Sequence, residues 1–280
     1  MNTLSPCSVW GNPDAPKRAL LVHGFTCTSQ IWCHVAQLLV EQGYYVVAPE
    51  LPGHGIGPRA SEYSFDALVK ALIPYVSHAC PDLIIGHSLG GLITLGLIHH
   101  ISAESRAVHV VIVDPPLDLT SEQLNFYRVL FTTAVREPPG TEAYTKMFPT
   151  WKISDAAWKA FGDELCDPDL VDALFDQHCP WNFKHLLKQA PPENVRLTIL
   201  AGDLDNGAVY YSGQSAEFAH VTAMSVKGVS HWIPLEHPKA IVDVALTPLS
   251  LATREKLDER VVIDKVSNVT NQKDLTCASP

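Results

Sequence analysis

A chain of 280 residues, 46% of them apolar, can fill one large α/β core or two small ones, and that apolar share excludes global disorder. A formal net charge of −10 without any basic run excludes nucleic acid and anionic membrane surfaces as expected partners. Seven cysteines, odd in number and without a C-x-x-C pair, predict free thiols in a reducing, cytoplasmic setting and argue against a zinc site or a redox dithiol.

In chain order, residues 1–18 are polar and carry Pro6, Pro13 and Pro16, so they read as an entry loop with one short strand at Ser8-Val9-Trp10. They show neither the basic nor the apolar region of a secretory leader. No later stretch approaches the ~18 apolar residues of a membrane helix. Ala19 to Val22 is a continuous apolar run, the pattern of a strand covered on both faces, and it ends in His23-Gly24-Phe25. Residues 30–42 place Ile31, Val35, Leu38 and Leu39 at helical spacing, and Gly43 stops them. Tyr44 to Ala48 is the next strand and runs into a turn-rich loop, Pro49 to Pro58. Residues 64–78 read as an amphipathic helix.

The most informative stretch follows. Leu83-Ile84-Ile85 leads into Gly86-His87-Ser88-Leu89-Gly90-Gly91, and Leu92 to Ile98 continues apolar. Buried strand, very tight turn and buried helix is the context in which G-x-S-x-G forms a nucleophile elbow. The glycines let strand and helix approach, and the helix N-terminus faces any oxyanion that develops near Ser88. Val108 to Val113 is another buried strand ending at Asp114. Strand–helix alternation then breaks over residues 117–190. Helical patches near 121–135, 154–166 and 168–179 hold a large share of the aromatic residues, which predicts a helical insertion over the sheet. Alternation resumes with a strand at Val195 to Ala201, a helix near 212–219, a strand at Val221 to Val226 and a final helix after His237-Pro238. Beyond about residue 254 the chain turns polar and a frayed tail is expected.

Strands alternating with helices predict a doubly wound, mostly parallel α/β sheet with helices on both faces and a helical cap. The predicted organisation is 1–116 and 191–250 as the two parts of the core, 117–190 as the cap insertion and 251–280 as a flexible tail. The loops at 23–25, 86–91, 202–205 and 228–231 all fall at carboxyl ends of strands, where such sheets carry their sites.

A serine hydroxyl needs a base, and His231, late in the chain after the last strand, is the candidate. Three carboxylates end strands and could orient it. Asp205 is preferred, three residues past Gly202 with room for a turn; Asp114 is the alternative, and Asp203 lies closest to its strand end. The expected oxyanion donors are the N–H of Leu89 and that of Phe25, with His23 holding the latter's loop. His54 lies in a loop that could reach the site.

His23-Gly24-Phe25, Leu51-Pro52-Gly53-His54-Gly55, Gly86 to Gly91, Gly202-x-x-Asp205 and Gly228-x-x-His231 together resemble the α/β-hydrolase superfamily over roughly residues 19–246. The resemblance implies Ser88 as nucleophile, His231 as base, Phe25 and Leu89 as oxyanion donors, and an acid at Asp205 or at the alternative position, Asp114. It implies a cap at 117–190, and Glu50 stands where an Asp is usual in that superfamily. Members often begin with two antiparallel strands, for which the first 18 residues leave little room. The implied activity is a serine hydrolase acting on an ester or lactone of a small, largely apolar molecule, with no cofactor and no metal. Lyase, C–C-cleaving or cyclising chemistry and a small-molecule receptor are the alternatives the same constellation supports.

Overall fold

The computed structural model describes residues 5–77, 80–102, 104, 106–247 and 261–263. Eight strands form one sheet: β1 (Cys7–Trp10), β2 (Lys17–Val22), β3 (Tyr44–Pro49), β4 (Leu83–His87), β5 (Val108–Val113), β6 (Val195–Ala201), β7 (Val221–Val226) and β8 (Val261–Ile263). Their spatial order is β1-β3-β2-β4-β5-β6-β7-β8. The six inner strands are parallel, while β1 and β8 pair antiparallel with β3 and β7. The sheet is therefore the doubly wound one that the alternation predicts. Among the described residues a single antiparallel strand precedes β2.

Both faces of the sheet are covered, which is why its strands read as unbroken apolar runs. In β5, Val110 and Ile112 face one core cluster, and Val111 and Val113 face the other. On the first face lie α2 (Phe65–Ser77) and α3 (Leu89–Leu97); on the second lie α1 (Cys33–Glu41) and α9 (Pro238–Leu246). Each buried Val, Leu or Ile contributes roughly 1.5–3 kcal/mol of transfer free energy, so the two faces together supply the main stabilisation.

Between β5 and β6 the chain forms α4 (Ser121–Arg136), α5 (Thr141–Met147), α6 (Ile153–Glu164) and α7 (Pro168–Gln177) over the carboxyl ends of the strands. Helix α4 starts with a capping box in which Thr120 and Gln123 satisfy each other's backbone amides. Helix α5 escapes the sequence pattern because seven residues give too short a window for a period. A short α8 (Ile233–Glu236) precedes α9.

Three expectations need correction. The segment near 212–219 forms only a 3-10 turn at Ser212–Gln214, since Ser212-Gly213 favours turns over helix. Ser29–Trp32 is likewise a 3-10 turn before α1 rather than its first α-helical turn. Val261–Ile263, inside the tail expected to fray, pairs with β7 and closes that edge of the sheet. The rest of the expected tail, including Cys277, lies outside the described residues. Among the described residues Cys7, Cys27, Cys33, Cys80, Cys166 and Cys179 are free thiols, and no helix is long and apolar enough to cross a membrane.

Candidate active site

Ser88 sits between β4 and α3 with φ 54° and ψ −122°, a left-handed conformation that non-glycine residues avoid. The strain is held by close packing on both sides. A Cβ on Gly86 would lie 2.4 Å from the Gly90 carbonyl oxygen, and a Cβ on Gly90 would lie 2.3 Å from the carbonyl oxygens of Val22 and His23. Only glycine permits helix and strands to approach this far, so the turn projects Ser88 at the end of the sheet.

The ladder continues past the strands. Ser88 N–H donates to the Val113 carbonyl at 2.9 Å, and Asp114 N–H to the Leu200 carbonyl at 2.8 Å. Asp114 therefore lies one strand over from Ser88. It is fully buried, has φ 45°, and its carboxylate accepts from the amides of Val209 (2.9 Å) and Tyr210 (3.2 Å). The same carboxylate meets His231 Nδ1 at 2.5 Å. That contact fixes the ring orientation and leaves Nε2 as the free nitrogen. His231 and Ser88 both line one cavity, and Ser88 Oγ has no hydrogen-bond partner among the described residues.

Asp205, the carboxylate preferred from spacing, is not the partner of His231. It lies exposed in a 3-10 turn, Leu204–Asn206. Asp203 caps that turn by accepting from the amides of Asp205 (3.1 Å) and Gly228 (2.8 Å), which hold its carboxyl below the usual range. The turn carries residues 204–206 out to solvent and brings the chain back so that Val209 and Tyr210 offer their amides to Asp114. The loop after β6 thus supplies donors to the acid rather than the acid itself. Asp114, the alternative, occupies the position.

Phe25 and Leu89 also line the cavity, and their backbone N–H groups donate to no acceptor among the described residues. Gly24 brings the Phe25 turn against the elbow: a Cβ there would stand 3.1 Å from Ser88 Cβ. His23 holds that turn as expected, with Nε2 accepting from the Leu51 amide at 3.1 Å. Glu50 accepts from the Ser29 amide (3.1 Å) and hydroxyl (2.6 Å), a structural post. His54 is wholly buried beside His23 and Phe25 and does not line the cavity.

Two features escape sequence reasoning. His87 packs its ring on that of His231, with centroids 4.6 Å apart, and its Nε2 lies 3.0 Å from the His231 carbonyl. Burial and the proximity of His231 push its pKa well down, so the neutral ring donates from Nε2 to that carbonyl. The second feature is a polar group in the cavity wall: Lys159 and Asp163 of α6 and Tyr144 of α5, all buried. The only sequence sign of it is the i, i+4 spacing of a lysine and an aspartate, which occurs on most exposed helices as well.

The cavity has a volume of about 430 Å³ and a mainly apolar wall, with Phe131, Phe175, Trp181 and Trp232 among its aromatic residues. The aromatic residues of 117–190 are thus divided mainly between the core and this wall, while Phe161 is exposed. Away from it, Cys33, His34 and Asp155 bring three possible metal donors within 4.8 Å of one another. There His34 Nε2 and Asp155 already satisfy each other at 2.8 Å, and the pair joins α1 to α6.

Residues 19–244 match the Alpha/beta hydrolase family. Among curated proteins, the chain is 29% identical over 170 residues to Lipase LipV of Mycobacterium tuberculosis (strain ATCC 25618 / H37Rv), covering 59% of either chain. It is 33% identical over 92 residues to the Thermostable monoacylglycerol lipase of Bacillus sp. (strain H-257), covering 31% of this chain and 37% of that one. The matches thus span about three fifths of the first relative's length and under half of the second's. Among solved structures, an esterase (EaEST) from Exiguobacterium antarcticum superposes with a TM-score of 0.67 at 12% identity, over 86% of this chain and 95% of that one, a likeness of fold.

Proposed function

The chain belongs to the Alpha/beta hydrolase family, and from that premise we propose that it hydrolyses carboxylic esters, lactones included, of small and largely apolar molecules through an acyl-enzyme on Ser88. The observation that carries the reading is His231, held by the buried Asp114, facing the cavity that also holds Ser88 and two unengaged amides.

In this reading Ser88 Oγ attacks the carbonyl carbon and its proton passes to His231 Nε2. Asp114 holds the ring through Nδ1 and stabilises the imidazolium without taking its proton. The carbonyl oxygen becomes an oxyanion between the N–H groups of Leu89 and Phe25, where the N-terminus of α3 adds its dipole. When the tetrahedral intermediate collapses, the C–O bond to the alcohol breaks and the alcohol takes the proton from His231. Water then repeats the sequence: His231 accepts its proton as its oxygen bonds the acyl carbon, the bond from that carbon to Ser88 Oγ breaks, Oγ takes the proton back from His231, and the acid leaves. This sequence of steps calls for no metal or organic cofactor.

The apolar wall supports an apolar acyl or alkyl group, because a polar group there would lose its water without gaining a partner. The relatives named lipase support the ester class. The test is labelling with an alkyl fluorophosphonate read by intact mass, with Ser88→Ala and His231→Ala beside the wild type. One adduct on the wild type, absent in Ser88→Ala and strongly slowed in His231→Ala, is the expected result. A folded wild type that gains no adduct at Ser88 overturns the reading.

A further inference from the structure

Lys159 is an unusual residue to find in the wall of an apolar cavity. It is buried, and its Nζ donates to three acceptors: the Thr26 carbonyl (3.3 Å), the Thr26 hydroxyl (3.0 Å) and the Asp163 carboxylate. Asp163 is wholly buried and accepts a further bond from the Tyr144 hydroxyl, which burial and the carboxylate keep protonated. All hydrogen-bonding capacity of the ammonium is thus used inside the protein, so Lys159 is not a free hand for a ligand.

What the lysine grips is the turn next to Phe25. Thr26 has φ 49°, a left-handed conformation that a β-branched residue rarely adopts. Such strain persists only where the surroundings over-determine it. Here the surroundings are helix α6. Besides the two bonds from Lys159, Gly162 is pressed against the same turn, so that a Cβ there would lie 2.4 Å from the Thr26 carbonyl oxygen. Helix α6 is itself pinned to the core: His34 bonds Asp155 at 2.8 Å at one end, and Arg59 donates to the Leu165 carbonyl at 2.7 Å just past the other. Replacing a buried ion pair by apolar groups of similar volume is often neutral for stability, so stability alone gives no reason for a lysine and an aspartate here. Position does: an ammonium held by Asp163 can point two donors at one residue, the carbonyl and the hydroxyl of Thr26.

We propose that Lys159 is a positioning residue of the oxyanion site: held by Asp163, it clamps Thr26 so that the Phe25 amide faces the oxygen that becomes negative during attack by Ser88. The proposal rests on the ester-hydrolase reading above and adds to it that a helix over the sheet, rather than the sheet alone, sets one of the two oxyanion donors. The clamp acts in the transition state and leaves the apolar cavity as it is. Its signature is therefore a lower kcat at constant KM.

The test uses the wild type, Ser88→Ala, the charge-neutral pair Lys159→Met/Asp163→Asn, and Lys159→Ala. Asn at 163 keeps an acceptor for Tyr144. Read-outs are the thermal melt, the rate of Ser88 modification by an alkyl fluorophosphonate (whose P–O oxygen occupies the oxyanion site), and kcat and KM for an octanoyl ester. The double variant is expected to melt cooperatively and to lose about 30-fold or more in both the modification rate and kcat, with KM within about twofold. In Lys159→Ala, ethylammonium is expected to restore about tenfold of the lost modification rate, and ethanol none, because an ammonium has three donors and a charge for Asp163 and the two Thr26 oxygens whereas a hydroxyl has one donor and no charge. A modification rate in the double variant within about threefold of the wild type overturns the clamp. So does a failure of ethylammonium to rescue Lys159→Ala, which decides the matter if the double variant does not fold. A wild type left unmodified at Ser88 is a different failure, that of the ester-hydrolase reading.

Discussion

Asp114→Asn is the sharpest test of which carboxylate serves His231. The substitution keeps the side chain's shape, and Asn tolerates the left-handed backbone at φ 45° as Asp does. What changes is the number of acceptors. The carboxylate now accepts from Val209 N–H, Tyr210 N–H and His231 Nδ1. A carboxamide has one oxygen. If that oxygen stays with Tyr210 N–H, the NH2 group takes the place of the oxygen that Val209 N–H and His231 Nδ1 share, and it can only donate to Nδ1. The imidazole proton then moves to Nε2, and the free nitrogen that Ser88 needs is lost. In serine triads the wrong tautomer lowers kcat about 10,000-fold, or about 5.5 kcal/mol at about 1.36 kcal/mol per decade. Asp205→Asn, in an exposed turn, should stay within about twofold of the wild type. The assay is kcat and KM for a chromogenic ester, with phosphonylation of Ser88 as an independent rate. A kcat for Asp114→Asn within tenfold of the wild type, or an equal loss in Asp205→Asn, would refute the assignment drawn from the geometry.

Other predictions follow from the packing and the charges. Ala134 lines the cavity from α4, so Ala134→Trp should lower kcat/KM for an octanoyl ester about tenfold or more while an acetyl ester changes little; equal losses for both esters would show that the long chain lies elsewhere. Gly162→Ala forces a Cβ against the Thr26 carbonyl oxygen and should destabilise by about 1–3 kcal/mol and lower kcat, read by urea unfolding and steady-state kinetics; an unchanged midpoint contradicts the close approach. Burial and the Arg196 guanidinium hold His109 down to about 4, against ~6.5 in an unfolded chain. The native state therefore binds fewer protons, and its stability is complete above about pH 6.5 and falls as pH drops toward 4, by ~3 kcal/mol from this residue. His23, His54 and His87 are shifted the same way and add to the loss. Urea midpoints at about pH 7.5 and about pH 5 should differ accordingly, and less so in His109→Gln; identical midpoints would sink this account.

By itself the sequence determined the strands from β1 to β7, though not β8, together with the elbow and the order of the site loops along the chain. Each of these is enforced locally. A strand buried on both faces must be apolar throughout, as Val108 to Val113 is, and a strand-to-helix turn as tight as that at Ser88 admits only glycine at 86 and 90. That is why β4, β5, β6 and β7, and the placement of Ser88, His231, Phe25 and Leu89 around one cavity, were legible in advance. The choice of acid was not. Asp114, Asp203 and Asp205 all follow strands, and nothing in their spacing says that the loop after β6 folds outward at Leu204–Asn206 and returns its amides to Asp114. The same holds for His87 beneath His231 and for Lys159 on Thr26, contacts between residues 144 and 133 positions apart. A side chain's partner across such a distance depends on how helices and loops pack, and packing is a property of the assembled volume rather than of any window of sequence. Tertiary structure alone therefore decided which carboxylate meets the histidine, what holds the oxyanion turn, and how much of the aromatic segment became wall rather than core.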